Sequence, residues 1–316
     1  MKEARAEIAP VSPVDIARGD REPVERSLAG VRRQSNLSDY VELTKPRLNF
    51  LVVITSAAGY YLGSAASINL WQMAQAVVGT ALVASGAAVL NQVYERDTDG
   101  LMRRTLHRPL PDHRVTVFDA TIFGSALAIA GIALLAFGAN WLAALLAVAT
   151  LAVYLVVYTP MKRRSPASTL VGAVPGALPP LIGWAAARGS LAAGGWTLFA
   201  IVFLWQIPHF MAISWMYRED YRSAGFPMLP VIEPDGRRTG RQALLFAAAL
   251  LPVSLVPSFV GLSGWIYFWI AMALSTALLG LSIKFAATRS DVSARWLFFG
   301  SITYLPLIWA TMILNH

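Results

Sequence analysis

The chain has 316 residues, of which 56% are hydrophobic and only 14% charged, against roughly a quarter in an ordinary soluble domain. Soluble folds need charge to cover their outsides, so a soluble enzyme is excluded, and the absence of cysteine excludes a disulfide scaffold, thiol catalysis and iron–sulfur ligation. A formal charge of +8 would suggest nucleic acid in a soluble protein, but here its placement along the chain decides its meaning.

In chain order, residues 1–38 mix acids, arginines and prolines without an apolar run, and read as a disordered tail ahead of one intramembrane domain, 39–316. The tail lacks the apolar core of a secretory signal and is too acidic for a mitochondrial transit peptide, which favours a bacterial plasma (inner) membrane over an organelle. Nine apolar stretches follow at about 47–66, 71–94, 115–137, 139–158, 168–186, 194–216, 241–261, 264–285 and 295–314, each near the roughly 20 residues that cross a bilayer as a helix. The expected fold is all-α: nine transmembrane helices in a polytopic bundle around a central cavity. Of the 26 Lys and Arg, 25 fall in the N-terminal segment up to Arg47 and the loops 95–114, 159–167, 217–241 and 284–295, and only Arg188 falls on the other side. Positive loops stay inside, so the N-terminus is expected in the cytoplasm and His316 outside. Most of the basic charge then reports topology, and no nucleic-acid partner is expected.

The second span is rich in small residues at 79–88, which let helices approach closely. At its end stands Asn91-Gln-Val-Tyr-Glu95-Arg-Asp97-Thr-Asp99. Asn91, Glu95 and Asp99, spaced i, i+4, i+8, share one helix face, with Asp97 nearly opposite Glu95 if the helix continues that far. Two carboxylates one turn apart repel unless something positive sits between them. Mg²⁺, which takes oxygen ligands and keeps waters that a phosphate can replace, is the natural occupant; a solvated helix end at the membrane surface is the plainer alternative. Arg104 and Arg108 follow, and Tyr158-Thr-Pro-Met-Lys162-Arg163-Arg164 closes the fourth span; each cation has two readings, membrane anchor or phosphate contact. Pro175, Pro179, Pro180 and Pro208 lie inside spans and should kink or break them. Gln206 and His209, one turn apart in the sixth span, read either as hydrogen-bonded packing residues or as groups facing the cavity. Tyr217-Arg-Glu219-Asp220-Tyr221-Arg222 ends that span on the same side as the first acidic run, with one of its adjacent acids expected to face inward. Together these parts describe an Mg²⁺-bound phosphate site at the cytoplasmic mouth of an apolar bundle, which suits a lipid diphosphate. No G-x-x-x-x-G-K-[ST], H-E-x-x-H or G-x-S-x-G occurs.

At this point the motifs match a known family. The stretch Asn91–Leu110, NQVYERDTDGLMRRTLHRPL, resembles the first Asp-rich motif of the UbiA superfamily of intramembrane prenyltransferases. Its continuation through Asp99, Met102, Arg104, Thr105, Arg108, Pro109 and Leu110, with the later run Asp220-Tyr221-Arg-Ser-Ala224-Gly225-Phe-Pro227-Met228, resembles the branch that farnesylates protohaem IX. Trp205-Gln206-Ile-Pro208-His209-Phe210, Tyr158 to Arg163 and Thr44-Lys45-Pro46-Arg47 are similar too, so the likeness runs from about Asp39 to the C-terminus. Two positions depart from the wider superfamily: Glu95 stands where many members have Asp, and Ala224 stands where a second-motif Asp is common.

The resemblance implies farnesyl diphosphate and haem b as substrates, haem O as a product serving haem-copper oxidases, and Mg²⁺ as cofactor. It implies Asn91, Glu95, Asp99 and Asp220 as metal ligands, Arg104, Arg108, Lys162 and Arg163 as diphosphate contacts, and Asp99, Asp220 and Lys162 as the catalytic groups. His209, Gln206, Tyr158 and Tyr221 would line the haem or the cavity, with His209 touching the haem iron or placing a water. Membrane lipid, and haem A synthase or oxidase assembly factors, are the implied partners. Two rivals stay open: another aromatic or quinone-precursor acceptor, against which the R-T-x-x-R-P-L and A-G-x-P-M details argue, and a transporter, which should carry polar residues at mid-span and paired repeats.

Overall fold

The computed structural model describes residues 35–64 and 67–316, so the expected tail lies outside the described residues as far as residue 34. Among the described residues every regular element is helical. A short helix α1 (Leu37–Leu43) begins two residues ahead of the expected domain boundary. The long helices are α2 (Pro46–Gly63), α3 (Leu70–Asp99), α4 (Val117–Gly138), α5 (Trp141–Met161), α6 (Ser168–Arg188), α7 (Ala193–Met216), α10 (Arg237–Phe259), α11 (Trp265–Thr288) and α12 (Asp291–Leu314). Two short helices, α8 (Arg218–Ser223) and α9 (Leu229–Ile232), lie between α7 and α10. Among the described residues nine long helices occur, against nine expected spans. Eight are long and apolar enough to cross a membrane; α2, which opens with Pro46, Arg47 and Asn49, falls outside that group.

The apolar residues of these helices face one another in two adjoining cores. One joins α7, α10, α11 and α12 around Trp205, Tyr267, Phe285 and Tyr304; the other joins α2 to α6 around Tyr60, Val83, Leu135 and Leu181. Helices α6 and α7 are the most enclosed. Close approach rests on small residues, as the 79–88 run suggests. A Cβ on Gly86 would stand 2.6 Å from the Gly124 carbonyl oxygen, and one on Gly131 would stand 2.6 Å from that of Gly79, so α3 and α4 meet backbone to backbone.

The prolines do not break their helices: α6 runs unbroken through Pro175, Pro179 and Pro180, and α7 through Pro208. The irregular backbone lies instead in α5, where Val153–Tyr158 widens into a π-helical turn just before Pro160. There the Thr159 amide and hydroxyl both donate to the Tyr154 carbonyl, the hydroxyl at 2.8 Å, which absorbs the extra residue.

Candidate active site

Helix α3 continues to Asp99, so the geometry expected of its last turns applies. Asn91, Glu95 and Asp99 are buried on one face, at 2, 4 and 1% exposure. Asp97 is on the outside, with its side chain 76% exposed and, among the described residues, paired only with Arg96. Each inward group has a partner from another part of the chain. Lys162 Nζ donates to both Glu95 oxygens at 2.9 and 3.0 Å. Arg108 donates to Asp99 Oδ2 at 2.6 Å. Asn91 Nδ2 donates to Thr159 Oγ1 at 3.1 Å, so the residue that follows the π-helical turn meets the acidic face. Repulsion between the two carboxylates is thus relieved here by cations that fold back onto them.

The two acidic motifs meet through their loops. Met102, just past Asp99, is buried with Ala224, Phe226 and Met228 and packs against Tyr221. The Phe226 ring lies 5.3 Å from Lys162 Nζ, and the Tyr158 ring lies 5.6 Å from it on another side. Arg104 sets its guanidinium over Tyr217 and Tyr221, 5.2 and 5.8 Å from the ring centres. Of the second acidic pair, Glu219 is exposed and bonded to Arg222, while Asp220 is half-buried and makes no ion pair among the described residues. No cluster of three or more acidic or histidine side chains able to hold a metal forms among the described residues, so Asp220 is not gathered with Glu95 and Asp99. Arg163 and Arg164 are both exposed, and only Lys162 of that run turns inward.

Deeper in α7, Gln206 and His209 serve different interfaces. Gln206 donates to the Ala173 carbonyl of α6 at 3.2 Å and fills the space left by Gly176. His209 is stacked between Trp205 and Phe298, each 5.1 Å away, and its Nδ1 pairs with Ser301 Oγ of α12 at 2.8 Å. Both thus make hydrogen bonds between helices. Cavities of about 810 and 380 Å³ open elsewhere: the first flanks the Asp97 side of α3 near His113 and Arg114, and the second lies at the opposite end of the bundle near Arg188 and His316.

One charged residue at the site was not among the candidates. Lys45, which precedes α2, reaches Asn91 Oδ1 at 3.5 Å. Desolvation first, and Arg108 second, bring its ammonium down to about 7 against the opposing pull of Glu95 and Asp99. Its signal in the sequence was the Thr44-Lys45-Pro46-Arg47 motif, but nothing local says that the side chain turns inward.

The UbiA prenyltransferase family profile matches residues 52–305. A protein of Solibacter usitatus (strain Ellin6076), named protoheme IX farnesyltransferase, is 48% identical over 289 residues, which cover 89% of this chain and 99% of the relative. Among solved structures, a digeranylgeranylglyceryl phosphate synthase matches with a TM-score of 0.76 at 18% identity, covering 88% of this chain and 98% of that one. A UbiA homologue from Archaeoglobus fulgidus bound to GPP and Mg²⁺ matches with a TM-score of 0.59 at 15% identity, covering 87% of this chain and 99% of the other.

Proposed function

The chain belongs to the UbiA prenyltransferase family, and we propose that it transfers a farnesyl group from farnesyl diphosphate to a vinyl group of haem b, with water adding a hydroxyl, to give haem O and diphosphate. The observation that carries this reading is the near full-length identity to a protein of that name. The geometry supports it: Met102, between Asp99 and the R-T-x-x-R-P-L run, packs with Ala224, Phe226 and Met228 of the A-G-F-P-M segment, and Phe226 there lies over Lys162.

Asn91, Glu95 and Asp99 present hard oxygen donors on one buried face, a set that fits Mg²⁺ with the diphosphate and water completing its shell. Bound there, the ion supplies positive charge to the leaving diphosphate, as the Archaeoglobus relative with GPP and Mg²⁺ suggests. The chain's own cations do the rest. Lys162 and Arg108 now neutralise Glu95 and Asp99; turned to the diphosphate, they stabilise the charge that develops as the allylic carbon–oxygen bond breaks. Arg104, seated on Tyr217 and Tyr221, holds the second-motif helix toward the same group. The apolar bundle accommodates the prenyl tail, and Phe226, by covering Lys162, limits water at the allylic cation until the vinyl group attacks. Asp220, apart from Glu95 and Asp99 and without an ion pair among the described residues, we assign to the second-motif side of the bound diphosphate.

Membranes carrying the protein, supplied with farnesyl diphosphate and haem b, should yield diphosphate and a new, more hydrophobic haem whose mass has risen by a farnesyl group and one hydroxyl group. Release of diphosphate with an untouched haem, and prenylation of an added aromatic acid instead, would select the aromatic-acceptor reading. No release of diphosphate at all would return the protein to the transporter reading.

A further inference from the structure

Helix α1 is fastened to the bundle by polar contacts that converge on one residue. Arg114, half-buried after the first-motif loop, donates to Asp39, to Glu42 at 3.2 Å, to Asp112 at 3.0 Å and to the His107 carbonyl at 2.7 Å. Asp39 is 4% exposed, and its other oxygen accepts the Asn36 amide at the start of α1. A guanidinium fork fits this set, since it offers several donors in a fixed plane. Beneath it, Leu43 is sealed among Val89, Leu110, Val115 and Ala120. At the far end of α1, the buried Gln92 amide donates to the Leu43 carbonyl at 2.7 Å.

Two residues later, Lys45 adopts a left-handed backbone conformation, φ +50°, which a residue with a Cβ holds only when its surroundings impose it. The constraint comes from both sides: α1 is clamped before the turn, and Pro46 starts α2 after it. That turn is what directs Lys45 to Asn91. Arg114 lines the cavity on the Asp97 flank of α3, and none of its hydrogen bonds or ion pairs goes to Asn91, Glu95, Asp99 or Lys162.

We propose that Arg114 is a positioning residue for the reaction: by clamping α1 through Asp39 and Glu42 it fixes the Thr44–Lys45 turn, and so places the Lys45 ammonium at the diphosphate end of the site. The inference rests on the functional reading above, because it takes Lys45 to be a diphosphate contact.

The test uses the full-length protein in detergent and a thio-linked analogue of farnesyl diphosphate that cannot ionise. Analogue binding, haem b binding and melting temperature are measured for wild type, Arg114→Ala, Lys45→Ala and the double variant. Lys45→Ala should weaken the analogue about tenfold or more, the scale of one charge-assisted hydrogen bond. Arg114→Ala should approach the same loss with haem affinity unchanged, and the double variant should be no worse than Lys45→Ala alone, because the two act through one contact. Losses that multiply in the double variant, wild-type analogue binding in Arg114→Ala, or equal losses for analogue and haem would each overturn the clamp. Should Arg114→Ala fail to accumulate, Asp39→Asn, which keeps shape and removes the ion pair, is read by the same criteria. Wild-type protein that does not bind the analogue overturns the functional reading and the clamp with it; binding lost in Lys45→Ala but kept in Arg114→Ala overturns the clamp alone.

Discussion

The divergence between Asp99 and Asp97, two residues apart, is the sharpest contrast in the site. Asp99 is sealed and bonded to Arg108, while Asp97 is open and, among the described residues, bonded only to its neighbour Arg96. Asp99→Asn keeps shape and removes charge, so turnover should fall at least about 10²-fold across an Mg²⁺ titration, the scale for one key electrostatic group. Asp97→Asn should stay within about twofold; equal damage at both positions would mean that the acidic face is not what carries the activity. The cation run divides in the same way. Lys162→Ala should raise the Michaelis constant for farnesyl diphosphate, lower turnover, or do both, and it should also lower the melting temperature, because it strands Glu95 inside. Arg163→Ala and Arg164→Ala should behave alike and leave both substrates' constants near wild type, since both side chains are exposed. That pairing differs from the expectation that Arg163 shares the diphosphate with Lys162. The residue type and spacing of Asn91, Glu95 and Asp99 were legible because a helix face is a local property. What each carboxylate pairs with was not, because Lys162 lies 67 residues from Glu95 and only the tertiary fold brings it there. Lys45 escaped for a related reason: its direction depends on a left-handed turn that no helical periodicity signals.

At the scale of elements, the sequence shows where helices can touch, and the structure shows which glycines make the contact indispensable. A Cβ on Gly183 of α6 would stand 1.9 Å from the Ser56 carbonyl oxygen, and one on Gly59 of α2 would stand 2.0 Å from that of Pro180. The obstacle is backbone on both sides, so no rotamer change relieves it. Gly183→Ala should therefore part α2 from α6 and cost at least the roughly 1–3 kcal/mol of an overpacked core, read as a lower melting temperature and poorer recovery in detergent. Gly280→Ala is the control, because nothing lies within 4 Å of its added carbon, and it should melt like wild type. A Gly183→Ala variant as stable as the control would mean that α2 and α6 can shift apart at little cost. The prolines show how local rules lose to packing. Pro175, Pro179 and Pro180 suggested kinks or breaks in α6, yet the helix is continuous and among the most enclosed, so packing against its neighbours sustains it through the prolines. The irregular turn falls in α5, where Pro160 is only one residue from the helix end and Thr159 repairs the ladder with its hydroxyl. A single threonine before a proline is too common to have marked that turn in advance.

Across the whole molecule, the helices run up and down, so that the end of α3, the end of α5 and the α7–α8 junction lie at one end of the bundle, while Tyr61, Arg188 and His316 lie at the other. All the cations placed at the site belong to the first end, and so do the basic loops 95–114, 159–167, 217–241 and 284–295. Charge partition and chemistry thus coincide. The end that the positive-inside rule assigns to the cytoplasm is also the end where a charged, water-soluble diphosphate can leave without crossing the bilayer. That these loops share one end of the bundle was legible because the alternation of helices follows from counting them, and counting does not require knowing how helices pack. It also fixes a strict test, since with nine crossings the two chain ends must lie on opposite sides. A reporter active only outside the cytoplasm, fused after His316, should be active, and the same reporter fused before Leu37 should be silent. The decisive helix is α2, whose Pro46, Arg47 and Asn49 keep it out of the strongly apolar group. If α2 instead lay along the surface, eight crossings would remain and both fusions would report the same side. Its contacts argue against that. Gly59 and Gly183 bring it into backbone contact with the enclosed helix α6, and Tyr60 is sealed in the core with Leu181 and Ile182. An α2 that lay on the surface would have to give up all of these contacts, so the two fusions should report opposite sides.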